Sequence, residues 1–304
     1  MHVGILPELR SCGHALDADP SCLGRLREAS AVLADDDDLR RRMRDDGYLR
    51  VRGLLDRDTV LNPRRAILTK LIDKDIVDSR HPLMDGIAHP DYHGNEQHLL
   101  SARVPELQDL LYTGPIMQLV TRLIGMPAAH YDYTWMRVIA PGQCTFPHCD
   151  VVYMGRGEQE QLYTAWTPLG DVDFDLGGLT LLEGSHRHQP LRENYCTTDV
   201  DRYCENLPRG ERVKQMNGEN GVLTRNPRRL RDGMGGRWLV SDFRAGDVLL
   251  FNIFTVHCGL ENHTNRIRLS TDSRYQPQGR PLDERWNGPN PLRHGAEAKQ
   301  GMIC

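Results

Sequence analysis

Lysine is nearly absent. Of 38 basic residues, only Lys70, Lys74, Lys214 and Lys299 are lysine, and the remainder are arginine. Basic excess is missing too, since net charge is −4, with a pI near 6.3. That balance excludes a generic binder of nucleic acid or anionic membranes, which would need positive charge to meet phosphate. No apolar run approaches the roughly 18 residues of a membrane span. The opening MHVGILPELRSCGHALDADP lacks a basic stretch leading into an apolar one, so a secretory signal is not expected. The eight cysteines include no C-x-x-C pair, which removes the signature of zinc ribbons and thioredoxin-like sites. Scattered through 304 residues, they read as reduced thiols of a cytoplasmic protein.

What is present is an ordinary globular composition, 39% hydrophobic and 26% charged, with enough chain to bury a core. The first 125 residues read as mostly helical. Asp35 to Asp38 is expected at a helix N-terminus, where carboxylates meet the positive end of the dipole, with Leu39 and Met43 at helical spacing and Gly47 as the stop. Tyr48–Leu55 alternates like a strand. Further helices are expected from about Pro63 to Ile72, from Pro105 to Tyr112, and after Gly114-Pro115, where Ile116, Leu119, Val120 and Leu123 share a face.

Short strands follow: Tyr131–Ala140, Cys149–Met154, Leu162–Leu169, Leu179–Leu182, Arg237–Phe243, Val248–Phe254 and Ile267–Tyr275. Helices followed by many strands predict a β barrel or sandwich with helices packed outside it. The organisation expected is an N-terminal helical region (1–125), a β core (126–277) carrying an insertion or lid at 186–236, and an irregular tail (278–304). The insertion is too long for an ordinary connection. Its Arg209, Arg212, Arg225, Arg228, Arg229 and Arg231 read as a solvated face, the rival reading being capture of an anionic substrate group.

His-x-Asp on a strand places both side chains on one face. A distant histidine would complete a two-histidine, one-carboxylate face that holds Fe(II) and leaves positions open for a co-substrate and O2. Chance gives about one such pair at this composition, and three occur. His89/Asp91 spans a proline in a loop-like stretch. His130/Asp132 lacks a turn leading into it. His148/Asp150 follows Pro141-Gly142-Gln143 and runs into Val151-Val152-Tyr153, and is the best placed. The distal histidine is His257, at the end of the apolar run from Val248, or His263, in a polar turn. A strand end is the more rigid mount. Beyond it, Arg266, Arg268 and Ser270 share a strand face, where a guanidinium can grip a carboxylate.

PGQCTFPHCDVVY, AWTPLGDV, GGLTLLEGSH, GDVLLFNIFTVHCGLENHT and NRIRLSTDSRYQP, in that order over 141–275, resemble the phytanoyl-CoA dioxygenase family of Fe(II)/2-oxoglutarate oxygenases. DDGYLRVRGLLDRDTV resembles that family's opening. The resemblance implies a mainly β fold with flanking helices, a double-stranded β-helix (jelly roll, cupin-like). It implies His148, Asp150 and His257 as iron ligands, and Arg268 with Ser270 as the 2-oxoglutarate anchor. The shifted pairing His263/Arg274 lacks both the serine and the apolar strand. An aspartate at 150 implies hydroxylation rather than halogenation, which needs a small residue there. Gln143, Thr145 and Thr180 are expected as polar residues facing the co-substrate, and Trp166 as core packing. The expected activity is hydroxylation of a small organic substrate, with succinate and CO2 as co-products. The rivals are a cupin-like isomerase or lyase, which has no need of the Arg268/Ser270 pair, and a catalytically silent binding module.

Overall fold

The computed structural model describes residues 7–94 and 104–304. Among these, the chain forms two facing sheets of a jelly roll, with helices against one of them. The larger sheet has six strands. Tyr48–Val51, Val248–Asn252, Tyr163–Pro168, Arg268–Pro277 and Ala128–His130 follow one another in that order, and Trp135–Ile139 pairs with Arg268–Pro277 as well. The smaller sheet runs His257–Gly259, Leu179–Leu182, Trp238–Val240, Leu23–Arg25. Strands 48–51 and 23–25, from the N-terminal region, thus edge both sheets.

Period-two alternation explains the layers. Val248 and Leu250 point outward, with Met136, Val138 and Leu269, into a core shared with the helices. Leu249 and Phe251 point inward and meet Leu179, Leu181, Trp166 and Phe243 between the sheets. Trp166 packs edge-on against Phe243, with ring centroids 4.7 Å apart, so it fills this apolar end of the roll. The inward face of Arg268–Pro277 is different. Arg268, Ser270, Asp272, Arg274 and Gln276 are all buried and all polar. A row like this is costly unless it is paired or liganded, and it marks the other end of the roll as the chemical one.

The first long helix, Asp36–Asp46, starts where Asp35 accepts hydrogen bonds from the Asp37 and Asp38 amides, and stops at Gly47 (φ 78°). The second differs from expectation. It spans Arg57–Ile72, because Asp56 caps it by accepting from the Thr59 amide, and Pro63 lies inside it. Burial of Val60 and Ile67 on the large sheet holds the helix across that proline.

Cys149–Met154 is not a strand. His148 bridges His257 backbone to backbone, and Val151–Met154 then turns into a short helix. One cysteine expectation is also corrected. Cys204 and Cys304 form a disulfide, while six cysteines remain free. The bond ties the tail to the 186–236 segment, where Arg202–Cys204 and Gln300–Met302 already pair in parallel. No described helix is long and apolar enough to cross a membrane.

Candidate active site

His148, Asp150 and His257 bring one ligand atom each to within 4.8 Å of one another, the only such cluster of three among the described residues. Asp150 Oδ1 lies 3.7 Å from His148 Nε2 and 3.7 Å from His257 Nε2. The backbone sets both tautomers. His148 Nδ1 lies 2.7 Å from the Phe146 carbonyl, and His257 Nδ1 lies 3.0 Å from the Thr255 carbonyl. Each carbonyl is two residues upstream and accepts the Nδ1 proton, which leaves each Nε2 lone pair aimed at the shared centre.

Asp150 adopts helical backbone angles (φ −65°, ψ −28°). The two side chains therefore converge because the strand ends in a turn, not because a pleat repeats. Cys149, between them, points away and donates its thiol to the Phe254 carbonyl. The outer oxygen of Asp150 is fixed by two groups the sequence reading did not assign to it. Arg274 donates to Oδ2 at 2.9 Å and the Thr164 hydroxyl donates at 2.5 Å. Parity was the available signal for Arg274, six residues beyond Arg268 on one strand. Burial works against charge on Asp150, but Arg274 and the two histidines outweigh it and hold the carboxyl below its usual range. Arg274→Leu should weaken divalent-metal binding about 10- to 100-fold, read by calorimetry with Co(II). Unchanged affinity would remove Arg274 from this role.

Burial depresses His148 from 6.5 to about 3. An unfolded chain takes up that proton near 6.5, while the folded one resists until about 3. Protons in that window therefore favour the unfolded state. Metal-free protein is expected to lose stability as pH falls across it, with a shallower slope in His148→Gln, measured by urea denaturation at a series of pH values.

The co-substrate candidates separate. Arg268 is buried and donates to the Gly177 carbonyl, but its Nε has no partner, and neither does the buried Ser270 Oγ two residues on. Burial lowers Arg268 to about 10, so it stays charged at neutral pH. Gly259 lies on the same strand face as His257. A Cβ there would sit 2.9 Å from Thr145 Oγ1 and 3.7 Å from an Arg268 nitrogen. The missing side chain lets Thr145 pack directly against this strand, close to the guanidinium. A buried cation with an unpaired Nε next to an unpaired serine hydroxyl fits a carboxylate, and three N/O donors on one side of a centre fit Fe(II).

Gln143 and Thr145 line the adjoining cavity of about 540 Å³, with His148 and Asp150. Thr180 does not reach it. It pairs with Cys258 rather than His257, so its side chain lies on the opposite face and donates to the Leu239 carbonyl. His263 sits 3.6 Å from Glu261 and is 41% exposed, apart from the cluster. His130 stacks on Tyr112, Asp132 accepts from the Gly288 amide, and His89 and Asp91 lie together in a loop.

The cavity wall includes Trp135, Arg137, Tyr153 and His294. His294 comes from the tail, where no local pattern announced it. Asp201, in the insertion, holds it at 2.8 Å and also receives Lys299 and Arg285.

The phytanoyl-CoA dioxygenase family model matches residues 43–270, three quarters of the sequence. The chain belongs to the phytanoyl-CoA dioxygenase family. It is a non-haem iron enzyme of the 2-oxoglutarate-dependent dioxygenase class, with Fe(II) as cofactor and 2-oxoglutarate and O2 as co-substrates. Two 1-deoxypentalenic acid 11-beta-hydroxylases, from Streptomyces exfoliatus and Streptomyces arenae, are each 25% identical to this dioxygenase over 260 residues, covering 82% of it and 84% of each relative. In fold it is similar to the non-heme alpha ketoglutarate dependent carbocyclase SnoK from nogalamycin biosynthesis (TM-score 0.56, 18% identity, 90% of this chain and 91% of that one). It is also similar to EctD from S. alaskensis (TM-score 0.56, 16% identity, 95% and 94%).

Proposed function

We propose that this dioxygenase hydroxylates a small organic acid, with iron on His148, Asp150 and His257 and the far carboxylate of 2-oxoglutarate on Arg268 and Ser270. The observation that carries this reading is the pairing of a converging Nε2, Nε2, Oδ1 face with a buried guanidinium whose Nε is unpaired, two residues from an unpaired serine hydroxyl. When bound, iron supplies the O2 chemistry that couples conversion of 2-oxoglutarate to succinate and CO2 with conversion of a substrate C–H to C–OH.

The protein's own groups do the positioning. The Phe146 and Thr255 carbonyls keep each Nε2 free of a proton. Arg274 and Thr164 occupy Asp150 Oδ2, so Oδ1 is the oxygen that would hold iron. Trp135 and Tyr153 give the cavity an aromatic side, and Trp286 backs Trp135 with ring centroids 4.6 Å apart.

Charge supports an anionic substrate, though not through the arginine-rich insertion. There Arg228 and Arg231 face Asp17 and Asp232, and Arg225 lies over Phe146. Arg137 is the better receptor. Its Nε is spent on Asp272 at 2.7 Å, which turns the terminal nitrogens toward the cavity. The Streptomyces relatives are named for a carboxylic acid substrate.

We place the protein in the cytoplasm; the six free thiols support this, and the Cys204–Cys304 bond is the exception to it. The test is succinate release with Fe(II), across carboxylic acids and their methyl esters. Acids should stimulate it and esters should not, and Arg137→Gln should raise KM for the acid about tenfold, the value of one charge-assisted contact. Equal stimulation by acid and ester would overturn the anionic assignment.

A further inference from the structure

We propose that Cys12 and Cys144 form a modification site at the cavity mouth, a thiol pair that closes to a disulfide by exchange with a low-molecular-weight disulfide. The two sulfurs stand 3.3 Å apart, from segments 132 residues distant in sequence. Both residues line the cavity and both are half-buried, so a small oxidant can reach them. The other four free thiols, Cys22, Cys149, Cys196 and Cys258, are buried.

The backbone is arranged for the pair. Cys12 occupies the left-handed region (φ 56°) beside Gly13 (φ 81°), in the turn joining Arg10–Ser11 to His14–Ala15. Glycine, asparagine or aspartate is the ordinary choice there, and a cysteine places its sulfur over Cys144 instead. The Cys12 amide donates to Cys144 Sγ at 3.2 Å. Contact with the Cys12 sulfur and the hydrogen bond from the Cys12 amide hold Cys144 below its ordinary range, while Cys12 is raised. Cys144 is therefore the attacking thiolate and Cys12 the resolving thiol.

Cys144 sulfur bonds to one sulfur of the oxidant, whose S–S bond breaks and releases a thiol. Cys12 sulfur then attacks Cys144 and releases the second thiol. Two protein thiols are oxidised, one external disulfide is reduced to two thiols, and the two protons leave with them. The sulfurs need only close to about 2.05 Å.

The new bond would pin the hairpin to the loop beside the proposed co-substrate anchor. That hairpin already rests on the strand carrying His257, through Ser11 Oγ to the Gly259 carbonyl at 2.8 Å and the Glu261 amide to the Arg10 carbonyl at 2.9 Å. Thr145, next to Cys144, packs against Gly259 close to the Arg268 guanidinium. This gating rests on the proposed 2-oxoglutarate site; the bond itself does not.

The test treats the iron-loaded full chain with excess glutathione disulfide, alkylates it, and maps peptides by mass spectrometry. A Cys12–Cys144 linked peptide is expected, reversed by dithiothreitol, in addition to Cys204–Cys304. Cys12→Ser should stop at a stable glutathione adduct on Cys144, and Cys144→Ser should form none there. Recovery of Cys12 and Cys144 as free, alkylated thiols would overturn the site. In the second arm, oxidised protein should consume 2-oxoglutarate severalfold more slowly and recover on reduction, and an equal rate would overturn gating. If reduced protein consumes none, the proposed oxygenase fails while the mapping still decides the thiol pair.

Discussion

Replacing His257 with alanine is expected to abolish iron binding and to lower succinate production about a thousandfold, roughly 4 kcal/mol of lost transition-state stabilisation. The site has three protein ligands, so removing one leaves two, and the metal loses its rigid mount. His257 is held with its Nδ1 on the Thr255 carbonyl and its ring 4.7 Å from Phe251 and 4.3 Å from His148. His263→Ala is the matched control. It removes an imidazole six residues away that lies against Glu261 and is expected to change neither quantity. Metal binding by calorimetry and folding by circular dichroism separate lost ligation from lost structure. Iron binding by folded His257→Ala within threefold of the parent, or collapse of binding in His263→Ala, would refute the ligand set.

Arg268→Met should raise the KM for 2-oxoglutarate about a hundredfold, near 3 kcal/mol, while leaving metal affinity intact. The same substitution should not destabilise the metal-free, ligand-free protein, and is expected to stabilise it. A buried guanidinium with an idle Nε and one carbonyl partner is a cost that only the incoming carboxylate offsets. A methionine of similar length removes that cost. Thermal denaturation with and without 2-oxoglutarate checks both halves: the parent should gain stability on adding the dicarboxylate and the variant should gain little. A variant that melts well below the ligand-free parent would mean Arg268 is a structural residue.

Much of this site was legible from residue order. His148, Asp150 and His257 could be named because ligand chemistry restricts residue types, and because the apolar run before His257 marks a rigid strand end. Parity set Arg266, Arg268 and Ser270 on one strand face, and the family resemblance singled out Arg268 with Ser270. Thr180 shows where parity stops helping. Alternation says which residues share a face, but not which face looks into the cavity. That is decided by the partner strand, which sets Thr180 opposite Cys258 and turns it away. Asp150 is a second case. Its aim comes from a helical turn that a run of valines gave no reason to expect, and from Arg274 and Thr164, which arrive from two other strands.

Taken alone, the order of amino acids pointed to the fold class, three candidate ligands and a candidate anchor for a dicarboxylic acid, because side-chain chemistry restricts which residues can serve and the ordered motifs resemble the phytanoyl-CoA dioxygenase family. Only the tertiary structure decided the rest. His294, Asp201 and the Cys204–Cys304 bond meet across some 90 to 100 residues, and Cys12 meets Cys144 across 132. Such meetings are fixed by how the sheets and the tail pack, and packing is a property of the whole chain that no window of sequence contains.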